Sequence, residues 1–239
     1  MKDELQTYFD NTKLPWGRLF YRMVLDQLGY PKGLRILDFG SGFGITADAL
    51  AADNEVIAVE PYRRMTEMAP KQHPFTQLIG KLEALEEFPD ESFDLILCHN
   101  VLEYAPERDE IIDSFARLLK KDGVLSVVRH NHPGRVMQKV VFEQALDEAK
   151  SLLGGGAICV RNFGEVHYYP PKALERQGLS IKEIQGIRIF WALQPYDESK
   201  KEKAWQDRIF EIEQLVCREE PYKSIAMFQH VFLTLEAVR

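Results

Sequence analysis

Cysteine is scarce in this sequence, and long apolar runs are missing. The 239 residues include three cysteines, Cys98, Cys159 and Cys217, which are far apart and lack metal-ligand spacing. Neither a disulfide framework nor a zinc site is therefore expected, and we predict no bound metal. No apolar run reaches the roughly 18 residues of a membrane span, and the polar start of the chain lacks the apolar core of a signal peptide. We expect a cytoplasmic protein without membrane contact.

Positive charge is also in short supply. Lys and Arg number 30 against 37 Asp and Glu, which gives a net charge of -7 and a pI near 5.5. General nucleic-acid binders rely on a surplus of Lys and Arg to displace counterions, so the composition argues against that class and leaves only a local basic patch open. With 45% hydrophobic residues, the chain can bury one full core. We predict one domain over residues 1–239, with its N-terminal helix at 14–28, a core at 34–130 and insertions with the final strands at 131–239.

Hydrophobic periodicity predicts alternating strands and helices. Strands are predicted at 35–39, 56–59, 77–79, 93–98, 124–129, 181–189 and 228–235. Helices are predicted at 14–28, 45–52, 109–120, 136–153 and 198–217, with a further helical piece from Pro171. This alternation is typical of an α/β fold with an open, mostly parallel, seven-stranded Rossmann-like sheet that has helices on both faces. Helical insertions are expected around 136–153 and 196–220.

A glycine turn follows the first predicted strand. Asp38-x-Gly40-x-Gly42-x-Gly44 ends that strand and opens a helix, so the backbone can turn tightly and approach a ligand. Glu60 ends the next strand, about 20 residues on, where a carboxylate can accept both hydrogen bonds of a ribose diol. The spacing differs from the dinucleotide pattern G-x-G-x-x-G, and Asp38 stands where a pyrophosphate would need positive or amide partners. The turn therefore favours a cationic amino-acid cofactor.

Four stretches between residues 35 and 129 resemble the successive motifs of class I S-adenosylmethionine-dependent methyltransferases: ILDFGSGFG, AVEPY, SFDLILCHNVLEY and LLKKDGVLSVV. The resemblance implies an enzyme with S-adenosylmethionine as its cofactor. It places Asp38, Gly40 and Ser41 at the methionine end, Glu60 at the ribose and Tyr62 beside adenine. The full set of expected cofactor-binding residues is Arg18, Asp38, Gly40, Ser41, Gly42, Glu60, Pro61, Tyr62, Lys81, Leu82 and His99.

Three further roles follow from the same resemblance. His99 would close the cofactor pocket, and Arg18 would pair with the cofactor carboxylate, with Arg22 as the alternative. Lys81 stands where many relatives carry an acid that accepts the adenine amino group. Because of this departure, we expect adenine to be recognised by backbone groups near Leu82.

Several phrases, HNVLEY within the core and four others outside it, resemble a narrower family, the bacterial tRNA 5-carboxymethoxyuridine methyltransferases: PWGRL, HNVLEY, GEVHYYPPKALE, GIRIF and CREEPYKSIAMFQHV. Together with the core they cover nearly the whole chain. The resemblance implies that the enzyme methylates the carboxylate of a modified wobble uridine, with tRNA as its partner. An ionised carboxylate is already a nucleophile at pH 7 and needs only in-line placement. We therefore predict no general base and no catalytic residue beyond those that position the reactants.

A carboxylate acceptor needs cationic or hydrogen-bonding partners, of which bidentate Arg is the best. Arg129 and Asn131 follow the fourth long strand at its C-terminal end, where open α/β sheets bind ligands, so they are better candidates than Arg218. A salt bridge is the alternative role for Arg218, and packing is the alternative for Tyr222. The acceptor candidates are Arg129, Asn131, Arg188, Arg218 and Tyr222.

An RNA substrate would need a basic surface beside the C-terminal ends of the strands. The locally basic stretch is Arg129, His130, His132, Arg135 and Lys139, and Phe142, Tyr168, Tyr169 and Trp191 could offer stacking faces. Two other functions stay open: methylation of a small molecule such as a carboxylic acid or quinone precursor, and a catalytically silent cofactor-fold binding protein. An unbroken basic path would favour tRNA, and a closed apolar pocket a metabolite. The sequence does not predict an oligomeric state.

Overall fold

The computed structural model describes residues 4–156, 159–160, 164–195 and 198–236. The predicted start of the second insertion, at Tyr196, lies outside these ranges. As far as His99 the elements are α1 (Glu4–Thr12), α2 (Pro15–Gln27), β1 (Arg35–Phe39), α3 (Ile45–Ala51), β2 (Glu55–Val59), α4 (Arg63–Met68), β3 (Thr76–Leu78) and β4 (Phe93–His99). No helix within the described ranges is long and apolar enough to cross a membrane.

The second part of the chain contains longer connections. Its elements are α5 (Arg108–Leu118), β5 (Leu119–His130), α6 (His132–Val141), α7 (Leu146–Leu153), β6 (Cys159–Val160), β7 (Gly164–Glu165), β8 (Leu179–Ile187), α8 (Lys203–Val216), α9 (Tyr222–Ile225) and β9 (Phe228–Leu235). Short 3-10 helices cover Leu82–Glu87, Pro171–Leu174, Trp191–Leu193 and Glu198–Lys201.

Seven strands form one sheet in the order β3-β2-β1-β4-β5-β9-β8. β1 pairs in parallel with both β2 and β4, β2 with β3, and β4 with β5. Nearly every residue of β1, β2 and β4 is buried, as expected for central strands covered on both faces. The strand order reverses between β1 and β4, and open α/β sheets bind ligands at the carboxyl ends of the strands at such a switch. The predicted seven-stranded sheet is confirmed.

The chain forms two compact units. The first takes the described residues within 1–27, 129–168 and 184–230, and the second those within 28–128, 169–183 and 231–239. The glycine turn and Glu60 belong to the second unit. The acceptor candidates belong to the first. That the whole chain is one domain stays a prediction.

Three predicted elements differ from the structure by more than two residues at one end. The single helix predicted at 136–153 is wrong, because the chain leaves α6 after Val141 and begins α7 at Leu146. Between them the backbone of Gln144 has a φ of 53°, which no helix accommodates. The helix predicted at 198–217 is likewise divided into a 3-10 helix and α8. β5 begins at Leu119, five residues before its predicted start at Val124.

Candidate functional site

The glycine turn is fixed to the end of β2 by its own backbone. The N–H groups of Gly40 and Ser41 both donate to the Val59 carbonyl, at 2.8 and 3.1 Å. Gly40 has a φ of 75°, and a Cβ there would lie 2.3 Å from Cγ2 of Val101. A side chain at this position would therefore be strained and would also collide with the segment after β4. This explains the glycine that the sequence places directly after β1.

Glu60 connects the turn to the segment after β2. Its Oε2 accepts a hydrogen bond from the Gly42 N–H at 2.8 Å, and its Oε1 accepts one from the Tyr62 N–H at 3.0 Å. Burial raises the pKa of Glu60, and these two hydrogen bonds partly offset the increase. The Tyr62 side chain is 58% exposed, which leaves a ring face open beside the acid.

Asp38 is a buried acid of this site with a strongly raised pKa. It is only 3% exposed, and burial, together with the charge of Glu60, raises its pKa to about 7, against the opposing effect of the Ala47 N–H. Glu103 is also buried. Burial raises the pKa of the Cys98 thiol, and the charges of Glu103 and Asp38 raise it further. The second unit therefore gathers carboxylates in a region from which water is largely excluded.

This site fits S-adenosylmethionine. In the part of the chain that the structure describes, Asp38 Oδ2, Ser41 Oγ and Asn100 Oδ1 are buried without a hydrogen-bond partner. Buried polar atoms of this kind are normally satisfied, and a carboxylate and a hydroxyl suit the ammonium and sulfonium charges of the methionine end. Among the described residues, no three His, Cys, Asp or Glu side chains are grouped so that they could hold a metal ion.

His99 and Lys81 are two further residues that are predicted to contact the cofactor. His99 Nε2 lies 2.9 Å from Ser126 Oγ, and burial lowers the pKa of the ring to about 3, so it is neutral at pH 7. Lys81 is exposed, and its N–H donates to Glu83 Oε1 at 3.0 Å. Leu82 begins the 3-10 helix that follows Lys81, and it is partly exposed. Their contacts with a cofactor, and that of Pro61, stay predictions.

Arg18 and Arg22 of α2 differ in their partners. Arg18 is exposed and donates to the Lys13 carbonyl at 3.0 Å and to Gln206 at 3.4 Å. Arg22 instead forms a 2.7 Å ion pair with Asp207. Because Arg22 already has an anionic partner, Arg18 is the better candidate for a cofactor carboxylate. That role stays a prediction.

The first unit contains a cluster of cations, which we call the arginine cluster: the buried Arg129 and Arg188 and the partly exposed Arg135, around His130. Arg129 Nη1 donates to Gln229 Oε1 at 2.6 Å. Burial lowers the pKa of His130 to about 4, and the charges of Arg135, Arg129 and Arg188 contribute. This cluster combines two of the predicted acceptor residues, Arg129 and Arg188, in one unit.

Asn131 has backbone partners in this structure that compete with its predicted role at the acceptor, and that role stays a prediction. Its Nδ2 donates to the carbonyls of Ser224 and Ala226, at 3.0 and 2.8 Å, and its N–H donates to the Met227 carbonyl at 3.2 Å. With both amide hydrogens in use, only its carbonyl oxygen remains, and that group repels a carboxylate. Asn131 holds the start of α6 to residues 224–227.

The two remaining acceptor candidates lie in the same unit. Arg218 is exposed, and its Nη1 lies 3.9 Å from Cys217 Sγ. The Tyr222 ring packs edge-on against Phe190, with ring centroids 5.6 Å apart. Neither arrangement places the side chain in the arginine cluster. Their acceptor roles stay predictions.

The basic stretch predicted to bind RNA is largely neutralised. Arg135 pairs with Glu143 at 2.9 Å, and Lys139 pairs with both Glu143 and Glu148 at 2.5 Å. The His132 ring lies 3.1 Å from the Leu152 carbonyl. These partners leave no unbroken basic path along the described part of α6. Among the predicted stacking residues, Tyr169 and Trp191 are buried.

Two residues that were not predicted from the sequence support the arginine cluster. Glu213, fully buried at 0% exposure, accepts hydrogen bonds from the backbone of residues 189–191. Trp16 lies with its ring centroid 5.1 Å from the Arg188 guanidinium. Trp16 belongs to the phrase PWGRL, which could have indicated it. Glu213 lies in a charged helix with no motif, and nothing in its neighbourhood distinguishes it from the exposed acids of that helix.

The chain is similar to known proteins over most of its length. Residues 37–127 match the model of the methyltransferase domain family. A tRNA 5-carboxymethoxyuridine methyltransferase of Escherichia coli is 26% identical over 221 residues, which are 87% of this chain and 82% of that protein. A ubiquinone biosynthesis O-methyltransferase of Xylella fastidiosa is 33% identical over 166 residues, 65% of each chain.

A solved structure agrees with the fold. An S-adenosylmethionine-dependent methyltransferase from Aquifex aeolicus superposes with a TM-score of 0.57 at 14% identity, over 98% of this chain and 97% of that one. The class of enzyme is indicated by the methyltransferase domain model and by the relatives. The glycine turn, with Asp38 and Glu60, fits the cofactor of that class. The chain carries a methyltransferase domain at residues 37–127, and it is an S-adenosylmethionine-dependent methyltransferase.

Proposed function

We propose that this enzyme methylates the carboxylate of 5-carboxymethoxyuridine at the wobble position of tRNA and forms the methyl ester. The observation that carries the proposal is the arginine cluster of the first unit. Arg129 and Arg188 are both more than nine-tenths buried, and a buried cation is stable only beside an anion or well-placed acceptors. An acceptor that carries a carboxylate supplies such an anion.

The histidines support a carboxylate over a hydroxyl acceptor. A phenol or sugar hydroxyl must lose a proton during methylation and would need a general base with a pKa near the working pH. Burial lowers the pKa of His99 to about 3 and that of His130 to about 4, so both are weak bases. A carboxylate is already ionised at pH 7, and its methylation needs alignment alone.

The cofactor supplies an electrophilic methyl group on a positively charged sulfur. In our proposal, Asp38, Gly40 and Ser41 hold its methionine end, and Glu60 binds its ribose. The exposed ring of Tyr62 flanks adenine. The carboxylates of the second unit orient the cation, and burial keeps water from competing with the acceptor.

The similarity to the tRNA enzyme adds support because it extends far beyond the methyltransferase domain, over 87% of this chain. The test is nucleoside mass spectrometry of tRNA from a strain that lacks this gene. We expect 5-carboxymethoxyuridine to accumulate and its methyl ester to disappear, with recovery when the gene is restored. Unchanged methyl ester would overturn the tRNA assignment.

A small carboxylic acid is the second candidate acceptor. It is favoured by the ion pairs of Glu143 and Glu148 with α6, since these remove positive charge that a tRNA backbone would use. Purified enzyme with labelled S-adenosylmethionine separates the two candidates. Transfer of label to tRNA from the deletion strain supports the first, and transfer only to a small-metabolite extract of that strain supports the second.

A further inference from the structure

The backbone of Arg188 is held in a conformation that side chains rarely adopt. Directly after β8, Arg188 has a φ of 57°, in the left-handed region that is unfavourable for a residue with a side chain. Its carbonyl accepts the Met227 N–H at 3.3 Å. Strained residues of this kind persist where the surrounding structure fixes them, and they are concentrated at functional sites.

Glu213 fixes the segment that follows Arg188. Its carboxylate accepts hydrogen bonds from the N–H groups of Ile189, Phe190 and Trp191, at 2.6, 2.9 and 2.9 Å. Three charge-assisted hydrogen bonds to one buried acid form a rigid turn. Both carboxylate oxygens accept hydrogen bonds from the backbone, so Glu213 anchors the turn that follows Arg188.

Within the described part of the chain, the Arg188 side chain has no hydrogen-bond or ion-pair partner. It is 8% exposed, its Nε is buried without a hydrogen-bond acceptor, and among the described residues no acid lies within salt-bridge distance. The guanidinium instead lies over two rings, 5.1 Å from the centroid of Trp16 and 5.8 Å from that of Phe228. The rings hold its plane while its N–H groups remain available to a ligand.

Arg129 is less suited to that task, since its Nη1 is already bound by Gln229 at 2.6 Å. We propose that Arg188 is the residue that binds the acceptor carboxylate and that Glu213 is its positioning residue. This inference rests on the proposed function only in requiring a carboxylate acceptor. It makes Arg188 the residue that selects anionic acceptors over neutral ones of the same shape.

The test uses two small probes, methoxyacetate and its neutral amide methoxyacetamide, with the full chain saturated with S-adenosylhomocysteine. Binding is followed by saturation-transfer NMR. We expect the wild-type protein to prefer methoxyacetate, Arg188→Gln to lose its affinity for methoxyacetate at least tenfold, and Arg188→Lys to lose it severalfold, because an ammonium cannot form the bidentate pair. Arg208→Gln removes the same charge from the exposed face of α8 and should match wild type.

The Glu213→Gln variant tests whether Glu213 positions Arg188 or only contributes to packing. We expect it to lower methoxyacetate affinity severalfold while the affinity for methoxyacetamide and for S-adenosylhomocysteine stays unchanged. In turnover with the acceptor tRNA, Arg188→Gln should raise the KM for tRNA much more than it raises the KM for S-adenosylmethionine. Where Arg188→Gln fails to fold, Arg188→Lys decides by the same measurements.

The outcomes separate the two proposals. If tRNA is methylated but the Arg188 variants retain wild-type methoxyacetate binding and acceptor KM, this inference is wrong and the function stands. If tRNA is not a substrate but methoxyacetate binding depends on Arg188, the inference stands without the tRNA assignment. A wild-type protein that binds both probes equally also overturns the inference.

Discussion

At the residue scale, Asp38 connects cofactor binding to pH. Its pKa in the free protein is raised to about 7, whereas a cation bound beside it would favour the ionised form. Binding of S-adenosylmethionine should therefore release a proton near neutral pH. We expect cofactor affinity to increase severalfold from pH 6 to pH 8, and calorimetry in buffers of different ionisation enthalpy measures the proton directly. Binding that is independent of pH and releases no proton would contradict this role.

The same acid lowers stability in alkaline solution. Its folded-state pKa lies above the unfolded value of 3.8, so its contribution to stability is fully present below that value and is lost as the pH rises through about 7. The loss is roughly 4 kcal/mol at most. Asp38→Asn should unfold at higher urea concentration than wild type at pH 8, and lose cofactor affinity at least tenfold.

The control for this prediction is Asp122→Asn, which changes an exposed acid within β5. It should follow the wild-type dependence of unfolding on pH. If Asp38→Asn is no more stable than wild type at pH 8, burial of the acid has a smaller cost than its raised pKa indicates.

At the element scale, α6 lies against the segment before β9 at a single glycine. A Cβ on Gly134 would come 1.9 Å from the Ala226 carbonyl oxygen, so the helix would have to move away. We expect Gly134→Ala to lower the free energy of unfolding by about 1–3 kcal/mol. Acceptor turnover should fall as well, because Asn131 holds the same two segments together.

Val140→Ala is the matched control, since Val140 lies on the exposed face of α6. Its effect on the free energy of unfolding should stay within about 0.5 kcal/mol. Urea denaturation of both variants provides the measurement. Equal stability of the two would mean that α6 and residues 224–227 are not closely packed.

The elements also show where sequence periodicity is reliable. β1, β2, β4 and α3 were predicted to within one residue, because strongly apolar strands and a glycine turn leave few alternatives. The division of 136–153 into α6 and α7 was not predicted. Apolar spacing continues through the break, and what ends α6 is a left-handed residue, Gln144, that carries no glycine or proline signal.

At the scale of the whole molecule, neither unit is a continuous piece of chain. The chain passes between them five times, and the boundaries at 128/129, 183/184 and 230/231 fall inside β5, β8 and β9. Independent folding of either unit is therefore not expected. All three tryptophans, Trp16, Trp191 and Trp205, belong to the first unit, so their fluorescence reports on that unit alone.

This arrangement predicts that a ligand of the second unit stabilises the first. At a hundredfold excess over its Kd, S-adenosylhomocysteine should raise the free energy of unfolding followed by tryptophan fluorescence by about 2.7 kcal/mol. Far-UV circular dichroism should give the same transition. If the fluorescence transition stays at the same denaturant concentration when the ligand is added, the two units unfold separately.

The sequence by itself determined the seven-stranded, mostly parallel sheet and the glycine turn with its two acids, Asp38 and Glu60. Asp38, Gly40, Gly42 and Glu60 lie within one strand–turn–helix–strand segment, and their chemistry follows from local backbone geometry and from the spacing of adjacent parallel strands. A pattern of that kind is readable because each residue is constrained by its immediate neighbours in the chain.

Only the tertiary structure showed the partners of the acceptor candidates. Asn131 donates to carbonyls 93 and 95 residues away, partners that the sequence did not indicate. Arg188 depends on Trp16, at the other end of the chain, and on Glu213 in a helix without a motif. Whether a polar group is available to a ligand depends on which partners lie beside it in the folded chain. Partners that are distant in sequence produce no periodic pattern from which they could be predicted.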